Sequence, residues 1–204
     1  MLVLGLILIS ALFLSSVISI YYLTNMLNVN ASFKLGIQEK CSLLREAIVY
    51  ASTKSTNVQE FKKFVTEWLI MAINKSDLAK KPGLDEIVLE SLEVSYLTGV
   101  NGTYYAGMGD AYYNVSWTVE KEGIFIDVTG EPYVCLKIYY IHERAGVKIW
   151  PRRLEAYSGS ERLYVVHISN YTYLVYIPLY YTKVILNDDL GVVVKIDISE
   201  VLGS

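Results

Sequence analysis

The hydrophobic period of this chain changes twice. Residues 1 to 33 carry no charged side chain, and the first charge is Lys34. From there apolar positions fall at spacings of three and four: Phe33, Ile37, Cys41, Leu44, Ile48 and Ala51. That spacing predicts an amphipathic helix over 33–53, with Lys34, Gln38, Lys40, Arg45 and Glu46 on its other faces. Ser32 is placed to cap its start. Asn57 with Glu60 three residues on reads as a capping box. It opens a second helix with Val58, Phe61, Val65, Trp68 and Ala72 on one face and Phe64 and Leu69 beside it. The polar stretch 74–82 ends the helical part.

Beyond about residue 90 the period falls to two. Tyr113, Val115, Trp117 and Val119 alternate with Asn114, Ser116 and Thr118. Similar runs follow at Ile124–Ile126–Val128, Val134–Leu136–Ile138–Tyr140, Leu163–Val165–His167, Tyr173–Val175–Ile177 and Val192–Val194–Ile196–Ile198. Turn signals stand at Asn101-Gly102, Gly107-Met108-Gly109-Asp110, Thr129-Gly130, Ser158-Gly159 and Asp188-Asp189. Strands at this spacing predict an antiparallel sandwich or curled sheet. The expected fold class is α+β: a long hydrophobic N-terminal helix, amphipathic helices, then a β-sandwich-like globular domain. Three segments are expected, at 1–30, 31–82 and 83–204.

The N-terminal run is long enough to matter for function. A bilayer core of about 30 Å takes about 20 apolar residues as helix, and Leu2 to Leu23 supplies them. Ala11, Ser15 and Ser19 recur every four residues, with Gly5 nearby. Small residues at that spacing let helix backbones approach closely, so these four are the expected helix–helix assembly positions. No ionisable group lies inside the run, which argues against an ion pathway. No second apolar span follows it, and no cytoplasmic domain is expected before it.

Composition narrows the partners. The net charge is −3, with no polybasic cluster, so neither nucleic acid nor a lipid-headgroup site is expected. Scarce Gln and Cys beside abundant Ile, Val and Tyr lean towards a thermophile. Five asparagines stand in N-x-Ser/Thr sequons: Asn30, Asn74, Asn101, Asn114 and Asn170. They point to an exported domain carrying N-linked glycans. The first basic residues, Lys34, Lys40 and Arg45, follow the apolar run, which by itself would keep the domain inside. A short basic leader removed from before residue 1 reconciles the two signals.

Candidate chemistry is sparse. The two histidines, His142 and His167, are isolated in sequence and read as structural, since metal sites take three or four ligands at recognisable spacing. No Gly-x-Ser-x-Gly or phosphate-binding glycine loop occurs. Asn187-Asp188-Asp189 reads as a hairpin turn rather than a calcium loop. The chain is expected not to be an enzyme and to need no cofactor or metal. Cys41 and Cys135 are the two cysteines; in an exported protein they are expected to form a disulfide, the alternative being two separately buried thiols. Tyrosines come in adjacent pairs at 104–105, 112–113, 139–140 and 180–181. On a strand one of each pair faces the core and the other outward, where it suits contact with a protein or a sugar.

The uncharged segment from Met1, the amphipathic continuation from Phe33 to Ala51 and the sequon-bearing β-rich part together resemble archaeal type IV pilin-like proteins, the group of adhesion pilins and archaellins. The resemblance implies leader removal by a dedicated peptidase and hydrophobic helices bundled as a filament core. It also implies globular domains on the outside, copies of the chain as partners, and membrane insertion before assembly. The expected function is a structural subunit of an extracellular cell-surface filament. The alternative is a monomeric membrane-anchored surface glycoprotein that binds a protein or sugar.

Overall fold

A computed structural model of the chain describes residues 14–22, 36–75, 89–97 and 99–203. The chain divides into two units, Met1–Gly36 and Ile37–Ser204. In the first, the described residues form a helical stretch over 14–22 with every residue exposed. Nine helical residues rise about 14 Å, roughly half the hydrocarbon thickness of a bilayer. Among the described residues no helix is long and apolar enough to cross a membrane. The expectation of a long N-terminal helix is therefore corrected. Apolar composition decides what a segment partitions into, and helical continuity is a separate property.

The second unit begins with two helices, α1 (Ile37–Lys54) and α2 (Val58–Lys75). The capping box is present in modified form. Asn57 Oδ1 accepts the Glu60 N–H at 2.9 Å, while Glu60 reaches back to the Thr56 N–H at 2.8 Å. Helix α1 buries Cys41, Leu44, Ala47, Ile48 and Ala51. Helix α2 buries Phe61, Val65, Leu69 and Ile73. That row is rotated from the expected one, and Val58 is 41% exposed. The rotation sets Phe61 onto Tyr96 and Tyr104, stacked at 5.2 and 4.9 Å.

Ten strands follow: β1 (Leu92–Tyr96), β2 (Asn101–Met108), β3 (Ala111–Ile126), β4 (Pro132–Arg144), β5 (Val147–Ile149), β6 (Leu154–Ser158), β7 (Glu161–Ser169), β8 (Thr172–Pro178), β9 (Lys183–Asp188) and β10 (Val193–Asp197). A short helix, α3 (Ile198–Leu202), closes the chain, its N-terminus capped by Asp197. All described pairings are antiparallel, and the order is β1-β2-β3-β4-β8-β7-β6-β9-β10, with β5 beside β4.

The hydrogen-bonded path is unbroken, so the β-sandwich-like domain expected from the sequence is also corrected. It is one curled sheet. Period-two patterning states that one face is buried but not what buries it. Here the concave face closes on itself and on the helices. The Tyr104 hydroxyl on β2 donates to the Val193 carbonyl on β10 at 3.0 Å. Ser52 on α1 accepts the Val193 N–H at 3.2 Å, and Lys195 donates to the Ser55 carbonyl at 3.2 Å. Helix α1 also contacts β2 and β3. It therefore bridges strands near both ends of the sheet order.

Two local readings change with the fold. Asn101-Gly102, expected as a turn, opens β2. A Cβ at Gly102 would run into the Trp117 ring and the Leu97 carbonyl, so this glycine permits close packing. The runs expected as separate strands around Val119 and Ile124 are one strand, β3, with a bulge between Lys121 and Gly123. An extra residue reverses which parity faces outward, and this brings Phe125 to the outer face opposite Tyr133.

Candidate functional site

Strand alternation sorts the tyrosine pairs across the sheet. Tyr104, Tyr113 and Tyr140 are buried on the concave side, and Tyr105, Tyr112 and Tyr139 face the other way. The fourth pair, Tyr180 and Tyr181, lies in the β8–β9 connection, with Tyr180 63% exposed. The outer face also carries an aromatic ladder that local spacing does not reveal. Phe125 stacks on Tyr133 at 5.6 Å, Tyr133 meets Tyr176 at 5.8 Å, and Tyr176 meets Tyr164 at 5.6 Å. These rings come from β3, β4, β8 and β7, which are neighbours in the sheet order and distant in sequence. Tyr133, Tyr164, Tyr176 and Pro178 help line a groove of about 510 Å³, with Glu131 and Glu161 among its walls. The Tyr181 hydroxyl donates to Glu161, which holds its phenol well above the ordinary range. An open groove with flat ring faces and a few carboxylates can stack on a planar or saucer-shaped ligand and accept hydrogen bonds from it.

The concave side holds a buried polar cluster. His142, at an inward position near the end of β4, is fully buried, and Asp188 at the end of β9 is 6% exposed. His142 Nε2 lies 2.6 Å from Asp188 Oδ2, and the Tyr140 hydroxyl donates to the same oxygen at 2.8 Å. Asp188 Oδ1 accepts the N–H groups of Leu190 and Val192, both at 2.9 Å. The Tyr113 hydroxyl meets His142 Nδ1. An imidazole donating from Nε2 to the carboxylate leaves Nδ1 to accept from that hydroxyl. Burial pushes the Tyr113 and Tyr140 phenols well up, and the Asp188 charge adds to the effect. This Tyr–His–Asp line resembles a nucleophile–base–orienter arrangement on paper. Every member is buried and satisfied, so the arrangement locks the curl and presents no reacting atom to a substrate. The sequence reading of His142 as isolated missed its partner, which lies 46 residues on in a turn signal. Asp188 belongs to this cluster rather than to a cation loop, and no metal-binding group occurs among the described residues.

The other expected site residues scatter. Asn74, Asn101 and Asn170 are exposed, at the end of α2, the start of β2 and the β7–β8 turn. Asn114 sits on the outer face of β3, as expected, but is half-buried between Tyr105 and Glu143, and its Oδ1 has no hydrogen-bond partner. Asn30, Gly5 and Ala11 lie outside the described residues. Ser15 and Ser19 are exposed in the stretch 14–22.

The expected disulfide is corrected. Cys41 and Cys135 are both free and buried. The Cys41 thiol donates to the Tyr112 carbonyl at 3.5 Å, beside the end of β4 where Arg144 pairs with Tyr113. Cys135 lies about nine residues back along β4, roughly 30 Å at strand rise, far beyond the Cα separation a disulfide tolerates. Burial raises both thiols.

No protein-family model, no curated protein and no solved structure matches this chain.

Proposed function

We propose that the chain is a non-enzymatic cell-surface subunit. Its apolar N-terminal segment is buried first in a membrane and then among copies of itself in an extracellular filament, with the curled-sheet domain displayed outside. One observation carries the reading. In the described part of that segment Leu14, Val17, Ile18, Ile20, Tyr21 and Tyr22 are 48% to 66% exposed, whereas the core of the second unit runs from Leu44 to Val201. An uncharged run of this length needs another apolar environment. Lipid and identical segments are the two that suit it, and Ser15 and Ser19 offer close-approach positions for the second. The exposed sequons at Asn74, Asn101 and Asn170 fit an exported surface.

The test is mass spectrometry of the N-terminal peptide in sheared, sedimentable material from expressing cells. The reading expects the chain there, with its apolar segment intact and glycans attached. Recovery only from detergent extracts of membranes would contradict it. That outcome favours a second reading, a monomeric anchored glycoprotein, for which the specific support is the ladder of Phe125, Tyr133, Tyr176 and Tyr164 on the outer face.

A further inference from the structure

We propose that the cleft where β6 and β7 part binds an acidic sugar, its charged substituent held by Arg153 and Arg162 and its ring laid on Tyr164. This names a ligand for the outer face, and it rests on the reading above only for where the domain is displayed.

The cleft follows from the pairing. Strand β7 pairs with β6 only over Glu161, Arg162 and Leu163, then runs on to Ser169 beside β8. Strand β6 pairs on its other side with β9 from Leu154 onward. Between the diverging strands opens a space of about 530 Å³. Glu155 organises its charged wall. Its Oε1 takes Arg153 Nη2 at 2.6 Å and Arg162 Nη2 at 3.0 Å, while the Tyr157 hydroxyl donates to Oε2 at 2.6 Å. One carboxylate thus orients two guanidiniums. Each guanidinium has five N–H donors, and these two side chains are 63% and 56% exposed, so donors remain for a ligand. Arg152 lines the same cleft, and its backbone N–H donates to Asp189 at 3.2 Å. Arg152, Arg153 and Arg162 thus line the cleft with the single carboxylate of Glu155, a local positive surplus in a chain of net charge −3. Guanidinium pairs hold carboxylate and sulfate oxygens in matching fork geometry.

Tyr164 supplies the second half of the site. It lies two residues from Arg162 on the same face, about 7 Å along the strand, and is 69% exposed. A sugar ring bearing a charged group spans that separation and can set its apolar C–H face on the phenol. A run of glutamates would use the same arginines but has no ring to lay on Tyr164.

The experiment is calorimetric titration of the full chain in detergent with four probes: an oligogalacturonate, a heparin-derived oligosaccharide, uncharged maltohexaose and hexaglutamate. The proposal expects saturable binding of an acidic sugar, weakening as salt rises. It expects a loss of about tenfold or more, or 1.4 kcal/mol, in each of R153Q, R162Q and Y164A, with unfolding temperature unchanged. The first two probes separate a carboxylate from a sulfate ligand. No saturation with either acidic sugar would overturn the proposal, as would undiminished binding in Y164A or hexaglutamate binding as tightly. Assembly is read separately by sedimentation. Lost binding with assembly intact defeats this proposal alone, and lost assembly with binding intact defeats only the filament reading.

Discussion

His142 Nε2 and Asp188 Oδ2 meet at 2.6 Å inside the curl, from β4 and β9, four places apart in the hydrogen-bonded order. A flat sheet would hold strands so separated about 19 Å apart. The contact is therefore a direct measure of the curvature, and Asp188 is its hub, accepting from Tyr140, His142 and two backbone N–H groups.

Replacing Asp188 by Ala leaves those donors unpaired in a buried site. The expected loss is about 3 to 5 kcal/mol of unfolding free energy. Asp188→Asn keeps the shape and part of the acceptor capacity and should lose less. Denaturant unfolding of the full chain gives both values. Equal, small losses would mean that the cluster does not hold the curl.

The buried phenols make a signed prediction at alkaline pH. Burial raises Tyr104, Tyr113 and Tyr140 well above 10 and pushes Tyr173 up to about 12. The folded chain keeps protons that the unfolded chain releases near 10. Stability from these groups is then fully present below pH 10 and is lost as pH rises through the folded values. Tyrosinate absorbance followed alongside circular dichroism should show a late phase coinciding with unfolding. A single phase near pH 10 with the fold intact would contradict the burial.

Two free, separated thiols predict that reducing agent leaves the unfolding temperature unchanged. Thiol reagent should find both cysteines only after denaturation. A disulfide-linked peptide carrying Cys41 and Cys135 in a nonreducing digest would refute the separation.

Much of the unit from Ile37 onward was legible because its elements are amphipathic. The α1 stripe through Cys41, Leu44, Ile48 and Ala51 and the alternation along β3, β4 and β8 each state which face is buried. Strands β1, β2, β5, β6 and β9 were missed: β1, β5, β6 and β9 are short and interrupted by Glu93, Lys148, Glu155 or Asn187, and β2 carries Gly102 and Gly107, which read as turns. The sandwich expectation failed because Tyr104 and Val193, or His142 and Asp188, are joined only by closure of the whole sheet. The same holds for the outer ladder. Phe125 reaches it through a bulge, and Tyr164 and Tyr176 meet across strands whose register no local pattern reports. The long N-terminal helix was inferred from hydropathy, which reports what a segment partitions into and not how far it runs as helix.

Sequon use should follow exposure. Asn74, Asn101 and Asn170 are exposed, while Asn114 is wedged beside Tyr105 and Glu143. A glycan at Asn114 has to displace those neighbours. Glycopeptide mass spectrometry is expected to find the first three occupied and Asn114 bare. Full occupancy at Asn114 would show that the outer face opens more than its packing implies.

The most direct test of the central claim is sedimentation of the purified full chain as detergent is diluted, with Ser15→Arg beside it. A segment that buries itself among its own copies should drive the unaltered chain into fast-sedimenting filaments. The arginine should hold the variant in small species, because a charge would be trapped in an apolar bundle. If the two proteins sediment alike, whether both assemble or neither does, the N-terminal segment is not what joins the subunits.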